Sequence, residues 1–349
     1  MSQSSAYYLN DRQRQRIERW RASWLWRREL PTWCVIAAIY GGWFGVVLNW
    51  QTLGAGWGTP LLIVLTTWYM SLQHELIHGH PTRFPALNAL LGLLPLAVWY
   101  PYAVYRDGHL AHHRNENLTN PLDDPESYYF TAERWQHAPR WWRGLIRLRN
   151  TFPGRLLLGP ALGIASLLRE EVSRIAGGDR GRVAVWAVHF TLLALLLLWL
   201  AQRGIAPGFY LFAISYPALG LAMVRSFYEH RAMDEPPARS IINEAAWPWR
   251  LLFLNLNYHI VHHDLPGVPW YGLRRIYLAD RGAYQVRNRG FVVGGYGTWL
   301  RQYFWRALDV GAWPLQNVRE SEAPPPALPE WLPEVNEYEV NVIYGRAPF

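Results

Sequence analysis

Charged and apolar positions alternate along this chain in long blocks rather than residue by residue. Residues 30–74 contain no Asp, Glu, Lys or Arg, and the same holds for 84–105, 183–201 and 204–224. A helix needs about 20 apolar residues to cross the hydrocarbon core of a bilayer. The first block is long enough for two such helices, about 32–50 and 58–78, joined by a polar, Gly-rich turn around Asn49–Gly58. The third and fourth blocks predict one span each, about 183–201 and 204–224, with Gln202 and Arg203 between them. The expected fold class is therefore all-α and integral to the membrane. Two transmembrane hairpins, four spans in all, carry interfacial helices and a cytoplasmic helical cap. The block 84–105 breaks the rule: Pro85, Pro95 and Pro101 interrupt it, so an interfacial or re-entrant segment is expected rather than one straight helix.

Charge and aromatic content orient this frame. All 34 basic residues are Arg, against 26 Asp and Glu, for a net charge of +8. Seven Arg fall in residues 1–29 and twelve in 106–182, whereas the hairpin turns hold only Arg203. The positive-inside rule then makes both termini and the middle loop cytoplasmic, in a bacterial inner (plasma) membrane. The +8 marks a membrane face and implies no nucleic acid. The aromatic excess fits an interfacial belt, with Trp43, Trp50, Trp57, Trp68, Trp186 and Trp199 expected near span ends or turns. The single Cys34 excludes a disulfide scaffold. Residues 1–29 lack an apolar core and read as a basic cytoplasmic segment rather than a cleaved signal. Residues 30–275 form the membrane catalytic domain, and 276–349 a cytoplasmic segment with a Pro- and Glu-rich tail.

Eight of the 12 histidines fall in three groups: His74 and His78; His109, His112 and His113; and His259, His262 and His263. On helices these spacings bring rings to one side, as a metal requires. Imidazole suits Fe, Zn, Cu or Ni. Only 30 residues separate His78 from His109, too few to cross the membrane and return, so the three groups share one face. His230, just past the last span, is expected as a ninth ligand. His80 is expected beside the ligands rather than among them. Asp107, Asp123, Asp124, Glu229, Asn255, Asn257 and Asp264 are near ligands in sequence and are candidates to orient imidazoles. His189, alone inside a span, is expected in neutral packing or a helix–helix hydrogen bond.

Two chemistries use such residues. His74 to His78 reads H-E-x-x-H, the pattern of zinc peptidases, in which Glu75 would be the general base. Catalytic zinc takes three protein ligands, however, and eight or nine imidazoles exceed that need. They suit two metal ions of four or five nitrogens each, a centre adapted to oxygen activation. Removing hydrogen from an unactivated C–H bond is beyond any amino-acid side chain, so the metal carries that chemistry. No catalytic residue beyond the ligands is required.

The motifs HELIH, HLAHH and HIVHH, with this arrangement of spans, resemble the membrane fatty-acid desaturase superfamily over residues 30–275. GHLAHHRNENLTNPLDDPESYY, SFYEHRA and NLNYHIVHHDLPGVPWYGL are similar to acyl-chain desaturase surroundings. The resemblance implies two Fe ions held by the eight box histidines, with His230 as the further ligand and O₂ as co-substrate. Ser226 stands four residues before His230, where some members carry Asn. The implied reaction is desaturation of a fatty acyl chain. Hydroxylation and alkene-forming decarboxylation to a 1-alkene are the alternatives on the same scaffold. No dinucleotide-binding loop, haem or iron–sulfur motif accompanies it, so an external donor such as ferredoxin, rubredoxin or a cytochrome is implied. The acidic tail, residues 320–345, is expected either to cross the Arg-rich cap or to be a flexible end.

Overall fold

The computed structural model describes residues 10–114 and 118–315, so the acidic tail lies outside the described residues. Four long helices dominate: α2 (Leu30–Leu48), α3 (Trp50–Ile77), α8 (Arg180–Gln202) and α9 (Pro207–Tyr228). Between α3 and α8 lie α4 (Pro85–Gly92), α5 (Tyr102–Arg114), α6 (Phe152–Leu157) and α7 (Gly159–Ala176). Before them stands α1 (Asp11–Arg21), and after them α10 (His259–Asp264) and α11 (Trp270–Ala279). The described chain is mostly helical. Its one two-stranded sheet pairs Ile242 and Asn243 with Val292 and Val293 in parallel.

Three helices among the described residues, α2, α8 and α9, are long and apolar enough to cross a membrane. The fourth expected span, in α3, has the length but not the composition. Thr66, Thr67, Ser71, Gln73, His74 and Glu75 make its second half polar, and all six are buried. That half faces the protein interior rather than lipid. The Gly-rich turn also differs from expectation. The chain turns at Asn49 and is helical again from Trp50, with the backbone kinked at Gly54, whose φ of 64° favours glycine. On α8 the opposite pattern holds: Phe190, Leu195 and Leu198 are exposed, the surface that lipid would cover.

The broken segment after α4 accounts for several of the polar side chains inside this bundle. Residues 93–101 are irregular, yet Leu96, Ala97 and Val98 are buried. Their carbonyls accept hydrogen bonds from Tyr210 Oη (2.8 Å), Ser215 Oγ (2.8 Å) and His189 Nε2 (2.7 Å). Tyr69 Oη donates to Gly92 and Leu94, and Gln73 Nε2 to Gly92. Non-helical backbone away from water persists only when protein groups satisfy it, and these five side chains do so. His189 thus donates to the broken segment rather than to a neighbouring helix.

Close backbone approach locks α9 onto α6. A Cβ at Gly220 would lie 2.3 Å from the carbonyl oxygen of Leu156. Gly220→Ala must therefore separate the two helices, at a cost of about 2 kcal/mol. The expected result is a lowered melting temperature in detergent, read by circular dichroism.

Segments from early and late in the described chain pack together. Ile17 on α1 packs with Leu273, Tyr277 and Tyr284, and Arg16 pairs with Asp280 at 3.0 Å. Residues 276–310 pack into the same body as residues 224–265, through Phe227, Phe253, Phe291 and Trp299.

Candidate metal centre

Helix α3 ends in the interior with His74 and His78 one turn apart. Helix α5 follows the broken segment and carries His109, His112 and His113. The short α10 carries His259, His262 and His263, and His230 follows the last turn of α9. These nine residues assemble into two groups that can each hold a metal ion. His74, His78, His109, His113 and His262 form one, and His112, His230, His259 and His263 the other. Within each group every residue offers one ring nitrogen, and these nitrogens all lie within 4.8 Å of one another.

Each H-x-x-H-H triad is divided between the two groups, which reading the triads as single faces did not anticipate. At 3.6 residues per turn, positions i and i+4 are only about 40° apart, while i+3 lies about 60° to the other side of i. His109 and His113 therefore serve the first group and His112 the second. On α10 the order is reversed: His259 and His263 serve the second group and His262 the first. The exchange ties the two helices together across both sites.

The donor set fits metal ions. His78 and His109, His113 and His262, and His230 and His259 approach through their Nε2 atoms at 3.0 Å. Two imidazole nitrogens about 2.1 Å from one ion and at right angles to each other are ~3.0 Å apart. His74 is buried with neither ring nitrogen hydrogen-bonded, and His112 Nε2 is likewise without a partner among the described residues. Burial pushes His113, His259, His262 and His263 well below their usual pKa, and neighbouring histidines add to this. Neutral imidazole is the ligating form.

Carboxylates hold the far nitrogens of α5. His109 Nδ1 meets Glu126 at 2.9 Å, and His112 Nδ1 meets Asp124 at 2.8 Å. Burial would lower the pKa of His112, but Glu126 and Asp124 outweigh it and raise it to about 9. Asp124 was one acidic candidate among several in the sequence. Glu126 was not considered, although it sits in the same acidic run, two residues on. His230 Nδ1 is held by Ser240 Oγ at 3.2 Å. Glu229 accepts from Arg225 at 2.6 Å and lies 3.5 Å from His259 Nδ1.

The other candidates are engaged elsewhere. His80 pairs with the buried Glu29 at 2.7 Å. Asp107 pairs with Arg106 and Arg182, Asn255 donates to the Trp270 carbonyl, and Asp264 pairs with Arg287. Nearness to the boxes in sequence does not by itself make a side chain the partner of an imidazole. Glu75 belongs to neither group of histidines, and its Oε1 accepts the Trp270 N–H at 2.7 Å.

A cavity of about 440 Å³ reaches His74, His109 and His230, with Trp99, Leu162 and Leu219 in its walls. Comparison with known proteins agrees with this arrangement. Residues 55–295 match the family model described as fatty acid desaturase. The chain belongs to the fatty acid desaturase family. A similar curated protein is the sn-1 oleoyl-lipid 12-desaturase of Arthrospira platensis, 24% identical over 291 residues, covering 70% of this chain and 77% of that one. Membership in the desaturase family makes the chain an oxidoreductase of fatty acyl chains, with a lipid substrate and an electron donor. All nine clustered histidines fall inside the matched region.

Proposed function

We propose that this chain is a membrane-embedded di-iron enzyme that uses O₂ to desaturate a fatty acyl chain. The two adjacent groups of five and four imidazoles carry this reading. His74, His78, His109, His113 and His262 would hold one ion. His112, His230, His259 and His263 would hold the other. Iron bound there supplies the oxidising power for C–H cleavage that no side chain has. The protein's own part is positional. The part of the cavity walled by Trp99, Leu162 and Leu219 holds one stretch of the chain against the centre and keeps water out. Glu126 and Asp124 fix the ring orientation of His109 and His112. Electrons come from a separate carrier such as a ferredoxin or rubredoxin, reaching the centre from the cytoplasmic side of a bacterial inner membrane. The second half of α3 would complete a fourth span. The orientation of Glu75 toward Trp270 supports oxidation over hydrolysis, because a peptidase base must face the metal-bound water.

The test is to supply membranes containing the full chain with iron, O₂, a ferredoxin system and an isotopically labelled fatty acid. Mass spectrometry is expected to find product two hydrogens lighter than substrate. A product gaining oxygen, or a shortened terminal alkene, would replace desaturation with another oxidation. Zinc-dependent peptide cleavage without O₂ uptake would overturn the reading altogether.

A further inference from the structure

Five arginines line the cavity, and three of them have carboxylate partners. Arg182 pairs with Asp107 and Glu171, Arg174 with Asp179, and Arg225 with Glu229. Arg149 and Arg155 form no ion pair among the described residues, and the carboxylate that feels the charge of Arg155, Glu229, is already paired with Arg225. Arg155, on α6, is 1% exposed, and its Nε and Nη2 make no hydrogen bond. Its guanidinium lies over the ring of Tyr128, 3.9 Å from the centroid, and 5.7 Å from that of Phe227. Arg149 sits 5.4 Å from the same Tyr128 ring, and its Nε and Nη2 donate only to the neutral Asn150 Oδ1. Burial and the adjacent Arg155 charge both push the pKa of Arg149 down.

A buried charge without a partner costs several kcal/mol, so a fold keeps one where an opposite charge arrives from outside. The guanidinium fork matches a carboxylate in two-point contact. The aromatic faces of Tyr128 and Phe227 fix its plane without consuming its donors. Since the same cavity reaches the histidines, the group arriving at Arg155 is joined to what lies against the metal centre. We propose that Arg155, flanked by Arg149, is the head-group site for a substrate with a free carboxylate. The chain would then take unesterified fatty acids. This rests on the acyl-chain reading above and adds the chemical class of the head group. The carboxylate sits at the arginines and the methylene chain runs along Leu162 and Leu219 toward His74.

An oxyanion on an acyl chain has a second source, the phosphate of a phospholipid, and the experiment separates the two. Binding of a radiolabelled saturated fatty acid, its methyl ester and a lysophospholipid is measured on the detergent-solubilised full chain. Wild type, Arg155→Gln, Arg155→Lys and Arg149→Gln are compared. The acid is expected to bind wild type at least tenfold more tightly than the ester. Arg155→Gln removes that advantage and Arg155→Lys restores part of it, while ester binding is unchanged in every variant and certifies the fold. Equal binding of acid and ester by wild type, or unaltered acid binding by Arg155→Gln, overturns the proposal. So does a dependence on Arg155 shown by the lysophospholipid and not by the acid. If none of the three ligands binds wild type, the acyl-chain reading itself fails, an outcome distinct from a failure of Arg155 alone.

Discussion

His262→Ala is expected to reduce the metal content from two ions per chain to one and to lower product formation by more than about 100-fold. His262 is the only residue of α10 in the five-nitrogen group. Its Nε2 lies 3.0 Å from that of His113, and its ring centroid is 4.6 Å from those of both His74 and His78. Removing it detaches the first site from α10 and leaves the second site's four ligands in place. Replacing a partner that merely orients a ligand costs 10- to 100-fold in metal affinity or activity, and losing the ligand itself should exceed that range. Metal analysis by mass spectrometry, beside O₂-dependent turnover, checks the result, with helical circular dichroism confirming that the variant folds. His112→Ala should strip the other ion by the same logic. Full activity with one ion per chain in either variant would sink the di-iron reading.

Much of this centre was legible in the sequence because its chemistry is concentrated in one residue type. Histidines at helical spacing, held on one face by the 30-residue limit between His78 and His109, pick out eight of the nine that cluster, and the place of His230 just past the last span points to the ninth. What spacing could not report was their division. Helical geometry separates the i+3 ring from the other two, but which group His112 and His262 each join depends on how α5 and α10 face each other, a tertiary fact. The spans show the same boundary between local and global information. Charge-free blocks located α2, α8 and α9. In α3, however, the lack of formal charge is not apolarity, and this helix is not among the three apolar enough to span by composition. Thr66, Thr67, Ser71 and Gln73 are neutral but polar, and their burial shows that this half of the helix serves the interior. The orienting carboxylates were the least legible. Asp107 lies two residues from His109 in sequence yet pairs with arginines, while Glu126, 17 residues away, reaches the ring. A loop brings it back, and nothing in the spacing announces that.

The loop that brings those carboxylates back gives the second large effect, at Asp124. Its Oδ1 accepts from His112 Nδ1 at 2.8 Å and from the Glu126 N–H at 2.9 Å, and its Oδ2 accepts from the Thr119 N–H at 2.7 Å. One buried carboxylate thus fixes a candidate ligand, its own loop and the start of the strand of chain that carries Glu126. Asp124→Asn preserves the shape and removes one acceptor. Whichever way the amide turns, its N–H₂ faces a donor, either Thr119 N–H or the pair of Glu126 N–H and His112 Nδ1–H. A buried donor left unsatisfied costs about 1–3 kcal/mol. Because Glu126 is positioned by the same bond, His109 loses its own orienting partner in part, so the damage reaches both groups of histidines. The expected outcome is metal affinity weakened by about 10- to 100-fold, with the ion held by His112, His230, His259 and His263 released first. Chelator competition on the intact protein measures this directly. Asp124→Glu offers a control, since it keeps the charge and moves it by one methylene. If Asp124→Asn retains both ions against the chelator as wild type does, then Asp124 serves only the loop, and the orientation of His112 must come from the packing of α5 alone.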